Sequence, residues 1–239
     1  MTPRPSLPAA ARRQAGFTIV EMMVGLAIGL VISIGFATTF VSMKTSFNSQ
    51  DKLAQLQDNE RLAMTILSGS VQQAGYYPSP LGTGSAAIVA SADSDFGAMS
   101  ASQALTGNDS SSKGVSLSTA YASSGSGDGL LDCLGESLSS GASVRNIFFV
   151  DSATQTLQCQ VELNGVTTSP TKATLVSGVS SMTVLYGVGN PNVTGYYSAA
   201  NVSDWSTVRS VRITLNFVDP NDTTHSIPWT QTIYVMNAL

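Results

Sequence analysis

Residues 17–41 read FTIVEMMVGLAIGLVISIGFATTFV, and the twenty positions from Met22 to Val41 carry no charge. At helical rise those twenty span about 30 Å, the thickness of a bilayer's hydrocarbon core. Further on, apolar positions thin to one stripe, with Leu56, Ala63, Leu67, Val71 and Ala74 falling at helical spacing. No proline lies between Pro8 and Pro78, so a single helix is expected over 17–74, roughly 90 Å long. Gly75-Tyr76-Tyr77-Pro78-Ser79-Pro80 stops it with a glycine cap and two prolines.

Beyond that stop the pattern loses its large apolar residues. Residues 79–127 are rich in Ser, Gly and Ala, which predicts loop or weakly ordered connection. Strand patterns begin near Gly129. They cover 130–133, then 144–150 and 155–162 around a hairpin turn at 151–154, and then 173–176, 182–186, 208–218 and 229–236. Within 208–218, Val211, Ile213, Leu215 and Phe217 alternate with Arg212, Thr214 and Asn216, the period of a half-buried strand. The expected class is α+β: one long N-terminal helix, packed over its amphipathic half against a C-terminal antiparallel sheet.

Composition narrows this picture. With 239 residues, 43% hydrophobic and 11% charged, the chain is too polar for many membrane spans and too apolar for disorder throughout. Arg4, Arg12 and Arg13 all lie in the first sixteen residues; past them eight basic residues face fifteen acidic ones, a balance of -7. An acidic body argues against a phosphate-neutralising surface, so no nucleic-acid partner is expected. A DNA-binding patch would have to use Arg209 and Arg212 with Tyr196 and Tyr197.

Cys133 and Cys159 are an even pair outside the membrane segment. That favours a disulfide over two buried thiols, and two thiols are too few for structural zinc. His225 is the only imidazole, and neither G-x-S-x-G nor H-E-x-x-H occurs. A membrane-tethered periplasmic hydrolase would have to work through His225; against it stands a surface histidine in the turn 222–225. Gly82-Thr83-Gly84-Ser85-Ala86-Ala87 fits a dinucleotide pattern by letter but follows a proline-rich turn instead of a strand. Asp93, Asp95 and the run 125–129 lack the ligand spacing of a calcium loop and read as solvated turns. No catalytic residue, metal or cofactor is expected.

Arg12 and Arg13 precede the apolar run, which keeps the N-terminus cytoplasmic and sends the bulk of the chain across. The run is longer than a secretory signal core and no small-x-small site follows it, so the anchor is expected to stay. Gly25 and Gly29 form a G-x-x-x-G that lets helices approach closely, although glycine is common in membrane helices anyway. Glu21 is the informative residue. A carboxylate near the bilayer centre costs about 2.5 kcal/mol or more, and an interfacial position is the bland way to avoid that cost.

The stretch Arg12-Arg13-Gln14-Ala15-Gly16-Phe17-Thr18-Ile19-Val20-Glu21 resembles the start of type IV prepilins: basic residues, a Gly-Phe junction, then Thr and two apolar residues before Glu. The resemblance implies cleavage between Gly16 and Phe17 by a membrane aspartyl peptidase, which also methylates the new amine of Phe17. It implies a leader at 1–16, a transmembrane half of the helix at 17–41, an amphipathic half at 42–76, a connecting region at 77–128 and a sheet domain at 129–239. Pilins lay such a sheet against the emerging half of the helix as a lollipop. In a filament, the Phe17 ammonium and a neighbouring subunit's Glu21 would compensate each other in an apolar core. Many major pilins carry a proline where this chain has Thr38.

Three later stretches resemble the PilW-type minor pilins. They are Asp58-Asn59-Glu60-Arg61-Leu62-Ala63-Met64 leading to Gln73-Ala74-Gly75-Tyr76, the run 175–182 with Val184-Leu185-Tyr186-Gly187, and the run 205–213. This implies a minor subunit at or near a pilus tip that helps start assembly with other minor pilins and the major pilin. It would sit in inner-membrane lipid with its C-terminal domain in the periplasm, then pass into the extracellular pilus. The J-type minor pseudopilin of type II secretion shares the same pattern and remains the alternative.

Overall fold

The computed structural model describes residues 16–78, 88–111, 113–125, 127–138 and 141–237. Residues 1–15 of the leader, with Arg4, Arg12 and Arg13, and the glycine-rich 82–87 lie outside them. The chain divides into two compact units, Met1–Gln50 and Asp51–Leu239.

Helix α1 spans Ile19–Gln73. It starts two residues later than the apolar run because Thr18 is its cap: the Thr18 hydroxyl oxygen accepts the Glu21 N–H at 3.3 Å. In the first unit the side chains of α1 are exposed except the half-buried Ser49, and several of its hydroxyls are satisfied by the helix itself. Ser33 donates to the Gly29 carbonyl at 2.8 Å, while Thr38 and Thr39 both donate to Gly35 at 2.9 Å. A hydroxyl bonded in this way can lie in hydrocarbon without an unmet donor. Among the described residues α1 is the one helix long and apolar enough to cross a membrane.

In the second unit the expected stripe is the buried one: Leu56, Ala63, Leu67, Val71 and Ala74 enter the core. Gly75 then turns the chain at φ +78°, a conformation costly for other residues, and a Cβ there would strike the Asn237 carbonyl.

Two antiparallel sheets share that core. The first has the order β1-β2-β3-β4-β5, from β1 (Leu105–Ser111), β2 (Gly114–Ala122), β3 (Ser143–Asp151), β4 (Thr156–Leu163) and β5 (Val166–Ser177). The second has the order β7-β6-β8-β9, from β6 (Val179–Val188), β7 (Gly195–Tyr197), β8 (Val208–Val218) and β9 (Ser226–Tyr234). Gly178, at φ +82°, makes the corner between them. Leu117, Phe148 and Leu157 of the first sheet and Val184, Ile213 and Leu215 of the second meet the buried side of α1. The α+β class holds, with two sheets where one was expected.

The structure corrects two expectations. Residues 105–122 are a strand pair, not connecting loop. Their small polar residues misled because they are packed on both sides: Leu117 and Tyr121 face inward, while Ser116, Ser118 and Ala120 are buried on the outer face beneath the segment 88–103. Only small side chains let that segment lie so close. Residues 130–133 make no strand, only the isolated bridge Leu131↔Ser137. The Asp132 carboxylate accepts the Leu134 and Glu136 N–H groups, both at 2.9 Å, and so turns the chain there.

Candidate processing and assembly surfaces

Gly16 and Phe17 precede the first helical turn, and Phe17 is 83% exposed. With Thr18 fixing the helix start, the Gly16–Phe17 bond lies in non-helical chain, and among the described residues nothing stands within 4 Å of where a Gly16 Cβ would be. A peptidase needs such an open backbone. Glu21 is the acidic residue of the first turn, where helix N–H groups favour a carboxylate. Among the described residues it meets no cation. The positions of Gly25, Gly29 and Gly35 are likewise open.

Cys133 and Cys159 are disulfide-bonded, with Cα atoms 6.3 Å apart. The bond joins a loop to β4, not strand to strand, and Cys159 is wholly buried beside Phe148. Its loop is built on hydrogen bonds. The Tyr121 hydroxyl donates to the Leu131 carbonyl at 2.8 Å, and burial followed by the Asp132 charge raises its pKa well above the usual phenol range. Burial would raise the Asp128 carboxyl too. Donors from Leu130, Ser123 and Ser124 together outweigh that and hold it below the ordinary value. Asp128 thus organises the turn in which its own N–H donates to the Gly125 carbonyl at 3.0 Å. Among the described residues no group of three metal-ligating side chains converges.

The remaining candidates separate. His225 Nδ1 lies 2.7 Å from the Asp222 carboxylate and 3.1 Å from the Thr224 hydroxyl, in an exposed turn. Donors from Thr224, then His225, lower the Asp222 pKa. Of the basic and aromatic residues weighed for DNA, only Arg212 and Tyr196 meet, with the guanidinium 3.9 Å over the ring centre. Arg209 turns instead to the Ser206 carbonyl at 3.1 Å.

Two features escaped sequence reasoning. Arg145 and Glu162 form a buried ion pair in the first sheet. Glu60, within the buried stripe of α1, opens into a groove beside β9. Both sit at spacings that read as ordinary core, and only their charge could have marked them.

A capped apolar helix behind a Gly-Phe junction, with its second half packed into an antiparallel sheet domain, defines a type IV pilin-like protein. Residues 11–37 match the prokaryotic N-terminal methylation motif, and residues 147–235 match the family described as type IV pilus-assembly protein W. The second match takes in the strands from β4 to β9, so that part of the sheet domain is similar to the PilW type. Among solved structures the chain is similar to a type IV-like pilin from Thermus thermophilus. That match has 14% identity and a TM-score of 0.46, over 77% of this chain and 96% of that one. It is also similar to a chain of the GspK-GspI-GspJ complex from the enterotoxigenic Escherichia coli type 2 secretion system. There the identity is 14% and the TM-score 0.43, over 76% and 97%. No curated protein matches it.

Proposed function

We propose that the chain is a minor subunit of a type IV pilus-like filament, incorporated at or near the tip, where it helps start assembly with other minor pilins before the major pilin extends the fibre. The observation that carries this reading is the junction at the start of α1. An open Gly16–Phe17 bond lies directly before a capped helix whose first half is apolar and exposed. Cleavage there by a prepilin peptidase removes the leader and leaves the anchor whole. The helix then waits in inner-membrane lipid, with the sheet domain on the periplasmic side.

In this reading Glu21 is held in reserve for a neighbour. The free ammonium of Phe17 on one subunit and the carboxylate of Glu21 on the next compensate each other in the filament core and set its axial register. A starting complex needs different surfaces for different partners, unlike a self-complementary fibre subunit.

The test is the intact mass of the chain purified from membranes, which is expected to begin at Phe17 and to carry one added methyl group. Any other start removes the reading. Deleting the gene is expected to abolish piliation and twitching while leaving exoprotein release unchanged. The opposite pattern would assign the chain to a secretion pseudopilus.

A further inference from the structure

A groove of about 710 Å³ runs between the second half of α1 and β9. Its helical wall extends from Gln57 to Gln72, and its other wall is Trp229 and Gln231. Glu60 lines it, only 3% exposed, with no hydrogen bond or ion pair among the described residues. Burial alone raises its pKa. Arg61, the cation that also lines the groove, is exposed and forms no ion pair with Glu60.

The opposite wall is also unfinished. Trp229 is 44% exposed on the face of β9 whose Ile233 enters the core. Among the described residues β9 has β8 as its only strand neighbour, so one backbone edge is left without a strand partner; Pro228 has no N–H to offer there, which leaves the stretch from Trp229 to Tyr234 for pairing. A carboxylate that opens into the groove without a cation, beside a half-covered tryptophan on an open strand edge, leaves both walls of the groove without a partner.

We infer that this groove receives an extended segment of a different pilin-type subunit. The segment lies along β9, adds a strand to the second sheet and brings a lysine or arginine to Glu60. The inference rests on the filament reading above. The charge of Glu60 selects a cationic segment, and strand addition accounts for the open edge. A second copy of this chain fits less well: past residue 16 it has the balance of -7 noted above, and copies of like charge repel.

The test uses the full-length chain, co-expressed in membranes with the minor pilins of the same filament. A photo-crosslinking amino acid is placed at Gln231 or, as a separate probe, at Ile28 in the anchor. The Gln231 probe is expected to yield an adduct with another pilin-type subunit, mapped by mass spectrometry to a segment holding a lysine or arginine. Glu60→Gln is expected to lower that adduct at least about tenfold, as removal of one partner from a desolvated charge pair does, without lowering the chain's melting temperature. Trp229→Ala is expected to lower it as well.

An undiminished adduct in Glu60→Gln overturns the inference, as does an adduct with a second copy or with lipid only. Pilin adducts from Ile28 with none from Gln231 overturn the groove and leave the filament reading standing. Pilin adducts from neither position remove both.

Discussion

Arg145 and Glu162 are direct register partners across β3 and β4, 3.1 Å apart, and only 4% and 2% exposed. The guanidinium also donates to the Ser91 hydroxyl at 2.7 Å, the Gly97 carbonyl at 2.6 Å and the Ser118 hydroxyl at 3.0 Å. It therefore fastens the segment 88–103 over the outer face of the first sheet. Glu162→Ala would strand a buried cation, at a cost of about 3–5 kcal/mol. Thermal unfolding should report that loss, and proteolysis should begin within 88–103. Replacing both residues, as Arg145→Met with Glu162→Leu, should recover most of the stability but leave the segment loose. Equal melting temperatures for Glu162→Ala and the parent would dismiss the fastening role.

Tyr186 and Gly107 depend on each other in a similar way. The Tyr186 hydroxyl is buried with no partner among the described residues, its ring stands edge-on to Trp205 at 4.8 Å, and a Cβ on Gly107 would collide with that hydroxyl. Burial, then the nearby Asp109, raises its pKa beyond the usual phenol range. Gly107→Ala should cost about 1–3 kcal/mol through overpacking. Tyr186→Phe removes an unsatisfied hydroxyl and should be neutral or mildly stabilising. Combined, the two changes should cost less than their sum, a coupling that a double-mutant cycle of melting curves measures.

The disulfide closes a sequence separation of 26 residues. Chain entropy assigns such a loop about 3 kcal/mol. Replacing Cys133 and Cys159 together by serine should lower the unfolding free energy by that order, in detergent and without reductant. Reductant should bring the parent to the same value. An unchanged melting temperature on reduction would place the stability of this loop in its hydrogen bonds to Asp128 and Asp132 alone.

These features show where the sequence was readable. The anchor, the stripe from Leu56 to Ala74 and the strand 208–218 each repeat one period long enough to be seen without a partner, and the structure has all three. The pair β1–β2 was hidden because its outer face is buried by a neighbouring segment, not by large side chains of its own. Ser116 and Ser118 look like loop residues until Phe96 is seen accepting their hydroxyls. Arg145, Glu162 and Glu60 were hidden for another reason. Their roles depend on what stands opposite them in three dimensions, and spacing along the chain carries no trace of that.

Thr18 and Glu21 share one hydrogen bond but should separate on mutation. Thr18→Ala removes a helix cap worth about 1 kcal/mol, which a 55-residue helix tolerates, so filament incorporation should be nearly unchanged. Glu21→Ala removes a charge that opposes insertion, so the variant should enter the membrane and be cleaved after Gly16 at least as well as the parent. In the filament reading proposed above, what it loses is the partner for a neighbouring Phe17 ammonium, and that charge, left alone in an apolar core, would disfavour docking. The amount of chain in the sheared pilus fraction, relative to membrane, should therefore fall at least about tenfold for Glu21→Ala and for Glu21→Gln, but not for Thr18→Ala. A loss shared by all three variants would trace to the helix start itself, whereas retention in Glu21→Gln would show that shape and not charge sets the register.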